Sequence, residues 1–141
     1  MKLNNGHFLY KEADVLCSPP QLVLLLCDGT MRYLHEAVEH LRANRWAEKG
    51  KAVEAALECI NELRRGLDHE TGGETATQLD RMYGFLSAKL TYANAMRDPA
   101  QFEQIIDTIR PVRDAWQELF DRLKSEGKLA DHREYQATLQ R

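Results

Sequence analysis

The sequence has no Cys-x-x-Cys pair, and its three cysteines, Cys17, Cys27 and Cys59, are an odd number. That is a poor disulfide framework, and reduced thiols in a cytosolic protein are the plain reading. Excess positive charge is missing too. The formal net charge is −3, which argues against a general nucleic-acid binder. The densest apolar stretch, Leu22 to Cys27, is far too short to cross a bilayer, so no membrane insertion is expected. The opening MKLNNGHFLY carries one lysine and no long apolar run. No secretory leader is expected there, and a cytoplasmic location is the expectation. Phosphate-cradling glycine motifs and a Gly-x-Ser-x-Gly elbow are absent, and Gly72-Gly73 reads as a turn.

Metal chemistry is equally poorly supplied. A carboxylate-bridged metal pair inside a helical bundle needs Glu-x-x-His, which aims both ligands inward from one helix. The residues three positions before the five histidines are Asn4, Arg32, Ala37, Gly66 and Leu129. None is a glutamate. The run His35-Glu36-Ala37-Val38-Glu39-His40 resembles a zinc-protease motif, but its histidines are five apart. That spacing turns them about 140° around a helix, so they do not share one face. Two histidines on a solvated face are the expectation. No cofactor, no metal and no catalytic residue is expected.

What remains is a chain of 141 residues with 43% hydrophobic and 29% charged residues. Such a chain suits one soluble domain with a real core. Strand signals are nearly absent, and four helical patterns stand out. Ser18 is placed to cap the first, with Pro19 at its first position and Gln21 closing a capping box. Leu22, Leu25, Leu26, Gly29, Tyr33, Val38 and Leu41 then recur at helical spacing. Gly29 inside this helix is the usual mark of close backbone approach.

A second helix is expected from about Arg45 to Asp68, capped by Asn44, with Val53, Ala56, Leu57, Ile60, Leu63 and Leu67 on its apolar face. Glu70-Thr71-Gly72-Gly73 is a breaker cluster, and a third helix is expected from Thr75. Its stripe is Leu79, Met82, Tyr83, Leu86, Leu90 and Ala93. Asp98 and Pro99 open the fourth, whose apolar positions run from Phe102 to Leu123. Pro111 lies within it and predicts a kink or break. Matched lengths and short connections predict an all-α, antiparallel up-down four-helix bundle. The expected organisation is an N-terminal strap over residues 1–17, the bundle over 18–126 and a polar tail over 127–141.

Several elements, in order, resemble the flagellar secretion chaperone family FliS. Tyr10 and Val15 lead into Ser18-Pro19, then Leu22-x-Leu24-Leu25-Leu26-Cys27-Asp28-Gly29. Ile60-Asn61-Glu62-Leu63, Met82-Tyr83-x-Phe85, Leu90-x-x-Ala93-Asn94 and Arg113-Asp114-Ala115-Trp116 follow. The resemblance covers about residues 10 to 120. Cys27 stands where the family usually has tyrosine, and Gly84 where an acidic residue is usual.

The resemblance implies a cytosolic chaperone, not an enzyme, that binds the disordered C-terminal segment of flagellin and prevents premature polymerisation. It also implies delivery to the flagellar type III export gate. A monomer forming a one-to-one complex is expected, because a self-paired groove would compete with the client. The physical mode would be an amphipathic helix laid in an apolar groove. Leu22 to Leu26 are apolar all the way round their helix, and a small bundle cannot bury every side. Val23, Leu24, Met31, Tyr83, Leu86 and Leu90 are therefore candidate groove residues, each equally readable as ordinary core. Tyr10, Val15 and Asn94 complete the candidate partner-binding set. The N-terminal strap is expected to cover the empty site, or else to be a plain strap. A bundle that regulates another flagellar client, and a bundle enzyme or metal protein, are the competing readings.

Overall fold

A computed structural model describes residues 19–128 of the chain. These form four helices: α1 (Pro19–Arg42), α2 (Trp46–Arg65), α3 (His69–Ala95) and α4 (Pro99–Ser125). No strand occurs among the described residues. The expected cap Ser18, the strap and the polar tail beyond Lys128 lie outside the described residues.

Neighbouring helices run antiparallel, as the polar pairs between them show. Arg42 at the end of α1 meets Glu103 at the start of α4 (3.1 Å), and Arg113 meets Asp28 (2.9 Å). Lys49 at the start of α2 donates to the Asn94 carbonyl near the end of α3 (2.8 Å). Arg64 donates to Asp80 (2.6 Å) on the same pair of helices. Packing is closest between α1 and α2, then α1 and α4, then α2 and α3, and sparsest between α3 and α4. The result is the expected four-helix bundle, with α1 held between two neighbours.

The ends of the helices are set locally. Asp98 accepts from the Ala100 amide (3.0 Å), and Pro99 occupies the first turn of α4, as the sequence predicts. Asn44 does not cap α2. It adopts φ 58° and closes α1 instead: Asn44 N–H donates to the Leu41 carbonyl (3.2 Å) and Arg45 N–H to that of His40 (2.8 Å). This is a Schellman closure, which asparagine tolerates because it can enter the left-handed region. Arg45 then stands at the N-cap of α2 with no side-chain capping bond; its Nε donates instead to His40 Nδ1 (3.0 Å).

The third helix also begins earlier than expected. Asp68 caps it by accepting from the Thr71 amide (3.1 Å). A first helical turn leads to Gly73, whose φ 55°, ψ −132° breaks the geometry before the long segment continues. The breaker cluster therefore sits inside α3, at the one residue whose backbone needs glycine there. By contrast α4 runs through Pro111 unbroken. Pro111 and Asp107 are both exposed. The Asp107 carbonyl, which loses its helical donor to the proline, therefore faces water rather than the core.

The core contains Leu34, Ile60, Leu63, Tyr83, Leu86, Leu90, Phe102, Ile105 and Ile109, all fully buried. Trp116 stacks on Phe120, with ring centroids 5.3 Å apart. Cys27 is buried too, and burial, aided by Asp28, pushes its thiol up to about 12. The half-buried Cys59 thiol is also raised, chiefly by burial. Neither is poised as a thiolate at neutral pH. In native buffer, Cys27→Ala is therefore expected to leave the fast thiol reaction with a disulfide reagent unchanged. After denaturation the variant should titrate one thiol fewer; loss of a fast native phase would show that Cys27 is accessible.

Candidate functional site

Helix α3 carries two apolar stripes rather than one. The inner stripe, Ala76, Tyr83, Leu86, Leu90 and Ala93, is fully buried. On the opposite side Phe85 is 64% exposed, Tyr92 59% and Met96 38%. These three lie seven and four residues apart, so successive turns bring them to one face. Half-buried Met82 and Lys89 interleave with them. The face thus reads Gln78, Met82, Phe85, Lys89, Tyr92, Met96, in alternating steps of four and three.

The face continues onto the start of α2. Trp46 is 42% exposed, and the guanidinium of Arg97, which follows Met96, lies 4.6 Å from the centre of its ring. Four of the five large apolar side chains exposed among the described residues therefore gather on α3 and at its end; the fifth is Leu25 on α1. Scattered exposed apolar residues need no explanation, but a contiguous stripe marks an interaction surface.

Polar fastenings hold α3 in this orientation. Arg64 spans Asp80, Ser87 donates to Asn61 (3.2 Å), and Lys49 reaches the Asn94 carbonyl. The Arg64 guanidinium also holds the Asp80 carboxyl below the usual carboxylate range. These bonds lie along the α2 side of α3. They leave the Phe85 face turned outward, where no other described helix covers it.

The sequence-predicted candidates fall elsewhere. Val23, Tyr83, Leu86 and Leu90 are buried in the interior, while Leu24 and Met31 are half-buried against it on α1. Contact with a partner through the four buried ones would require the bundle to open. Asn94 is half-buried, and its Oδ1 is sheltered from solvent with no hydrogen-bond donor. Tyr10 and Val15 lie outside the described residues. The structure thus groups Tyr83, Leu86 and Leu90 on one inner stripe, separate from the exposed face. Sequence reasoning passed over Tyr92, Met96, Lys89 and Trp46. The alternating four-and-three spacing from Gln78 to Met96 was the available signal.

A concavity of about 370 Å³ opens between α1 and α4 beside His35, Val38, Arg42 and Arg110. Both of its arginines are already paired, Arg42 with Glu103 and Arg110 with Asp107 (3.4 Å). It therefore offers an anion no free guanidinium. No group of three or more His, Cys, Asp or Glu side chains able to hold a metal occurs among the described residues.

Comparison with known proteins places the sequence beside flagellar ones. Residues 4–123 match the family model for the flagellar protein FliS. The flagellar secretion chaperone FliS of Salmonella typhimurium is 33% identical, over 77% of this chain and 82% of its own length. Its counterpart in Vibrio cholerae is 31% identical, over 78% of this chain and 85% of its own length. That of Escherichia coli K12 is 31% identical, over 77% and 80% respectively.

Proposed function

Because the chain belongs to the FliS family, whose members are chaperones and not enzymes, we propose that it binds the C-terminal segment of flagellin. In this reading it keeps that segment unassembled in the cytoplasm and supports its delivery to the flagellar export gate. The observation that carries the proposal is the exposed apolar face of α3, Phe85, Tyr92 and Met96, in a chain otherwise rich in charge. A helical bundle with a full core gains nothing by exposing that face unless something covers it. An amphipathic segment that folds as it binds is a fitting cover, because its ordering entropy must be offset by buried apolar area. No helix among the described residues is long and apolar enough to cross a membrane, and the function needs no cofactor.

Isothermal titration with a peptide covering roughly the last 50 residues of flagellin from the same organism tests this, that length being enough to wrap a large surface. One-to-one saturation with a clearly negative heat-capacity change is the expected result, reporting apolar burial by a folding client. No heat and no complex with folded protein would mean that the client is a different one.

A further inference from the structure

We infer that the outward face of α3 is a docking seam for one α-helix of the client, held in heptad register and bearing acidic residues beside its apolar stripe. The inference rests on the proposed chaperone function and says how that site reads its client. The first argument is spacing. The face from Gln78 to Met96 alternates steps of four and three residues, the repeat by which two helices pack side by side at a shallow angle. Along the axis it spans roughly 27 Å at 1.5 Å per residue. An extended strand would place same-side chains about 6.8 Å apart. That is longer than the mean seam step of roughly 5 Å, so its side chains would drift out of register.

The second argument is charge. From Arg81 to Arg97, on α3 and just past its end, there are three basic residues, Arg81, Lys89 and Arg97, and no acidic one, in a chain whose net charge is −3. Arg81 stands beside the seam, one residue before Met82, and Lys89 stands in the seam itself between Phe85 and Tyr92. An acidic side chain on a docked helix would meet Arg81 at the flanking position that sets partner choice in paired helices, and another would meet the Lys89 ammonium within the seam. The same charges disfavour a second copy of this chain. An antiparallel self-pair of α3 seams would bring two basic, acid-free faces together, which costs affinity. Trp46, beside Arg97, closes the upper end of the seam and supplies an aromatic anchor of the kind that dominates binding energy.

The test uses the full chain and the flagellin peptide. Phe85→Glu/Tyr92→Glu alters only exposed positions, so its thermal unfolding curve should match the wild type. Its affinity for the peptide should fall at least about tenfold. Arg81→Glu/Lys89→Glu should also weaken binding and flatten its dependence on salt, whereas Leu25→Glu, off the seam, should do neither. Wild-type binding with both double variants unaffected would overturn the seam and leave the chaperone reading standing. Absence of wild-type binding would overturn both. A wild-type dimer that Phe85→Glu/Tyr92→Glu dissociates would assign the seam to a second copy and overturn the client helix.

Discussion

Truncating Phe102 to alanine is expected to lower the unfolding free energy by about 3–5 kcal/mol, the range for deleting a large aromatic side chain from a packed core. Phe102 is fully buried, in the first turn after the Asp98 cap, where the start of α4 meets the end of α1 through Arg42 and Glu103. Two effects add. The lost transfer of the ring out of water costs about 1.5–3 kcal/mol, and the cavity left between helices that cannot collapse costs the rest. A domain of this size holds only about 5–15 kcal/mol in all, so the variant should unfold at much lower urea. The measurement is helical ellipticity against urea, with a shifted midpoint and an unchanged slope. Phe85→Ala is the matched control. It removes the same ring from a position 64% exposed and should move the midpoint within about 0.5 kcal/mol. Equal losses for the two would mean that Phe85 is covered in the free protein.

Replacing Gly29 by leucine is expected to destabilise the bundle by about 1–3 kcal/mol through overpacking. A β-carbon at Gly29 would stand 3.2 Å from the Cys59 sulfur across the α1–α2 seam, the closest-packed pair of helices in the fold. Leucine adds three further carbons where one is already tight. Cys59→Ala should restore part of the loss, because it removes the atom in the way; a double-mutant cycle in urea measures the coupling. Gly84 is the instructive contrast. A β-carbon there would meet only the end of the Arg64 side chain, at 3.0 Å. A flexible guanidinium can step aside, and alanine gains up to about 1 kcal/mol of helix propensity over glycine. Gly84→Ala should therefore be near neutral. Strong loss there would mean that the Arg64–Asp80 pair is indispensable to the seating of α3.

How much was legible beforehand depends on the range of the interactions involved. The caps at Asp98 and Pro99, and the apolar periodicity of all four helices, are local, and the structure repeats them. Asn44 and Gly73 are where local reading misplaced a boundary. Asn44 fits both a cap and a left-handed closure, and its chemistry does not distinguish them until the direction of the following chain is known. Gly73 is a breaker by type, yet Asp68 started a helical turn before it. Pro111 breaks nothing because its face is solvent, where the orphaned carbonyl can be hydrated.

The sequence by itself determined the class of fold, the family and the residues able to be apolar face or wet face, because helix periodicity and end chemistry act within a few residues. On α3 it marked one stripe, Leu79 to Ala93, readable as core or as groove, and passed over the second. Only the tertiary structure decided that Tyr83, Leu86 and Leu90 turn inward while Phe85, Tyr92 and Met96 face out. The physical reason is that burial belongs to neighbours, not to a helix alone. The bonds of Lys49, Asn61 and Arg64 on α2 to α3 fix how that helix is rolled. Those partners lie 16 to 45 residues away along the chain, beyond the reach of any local pattern.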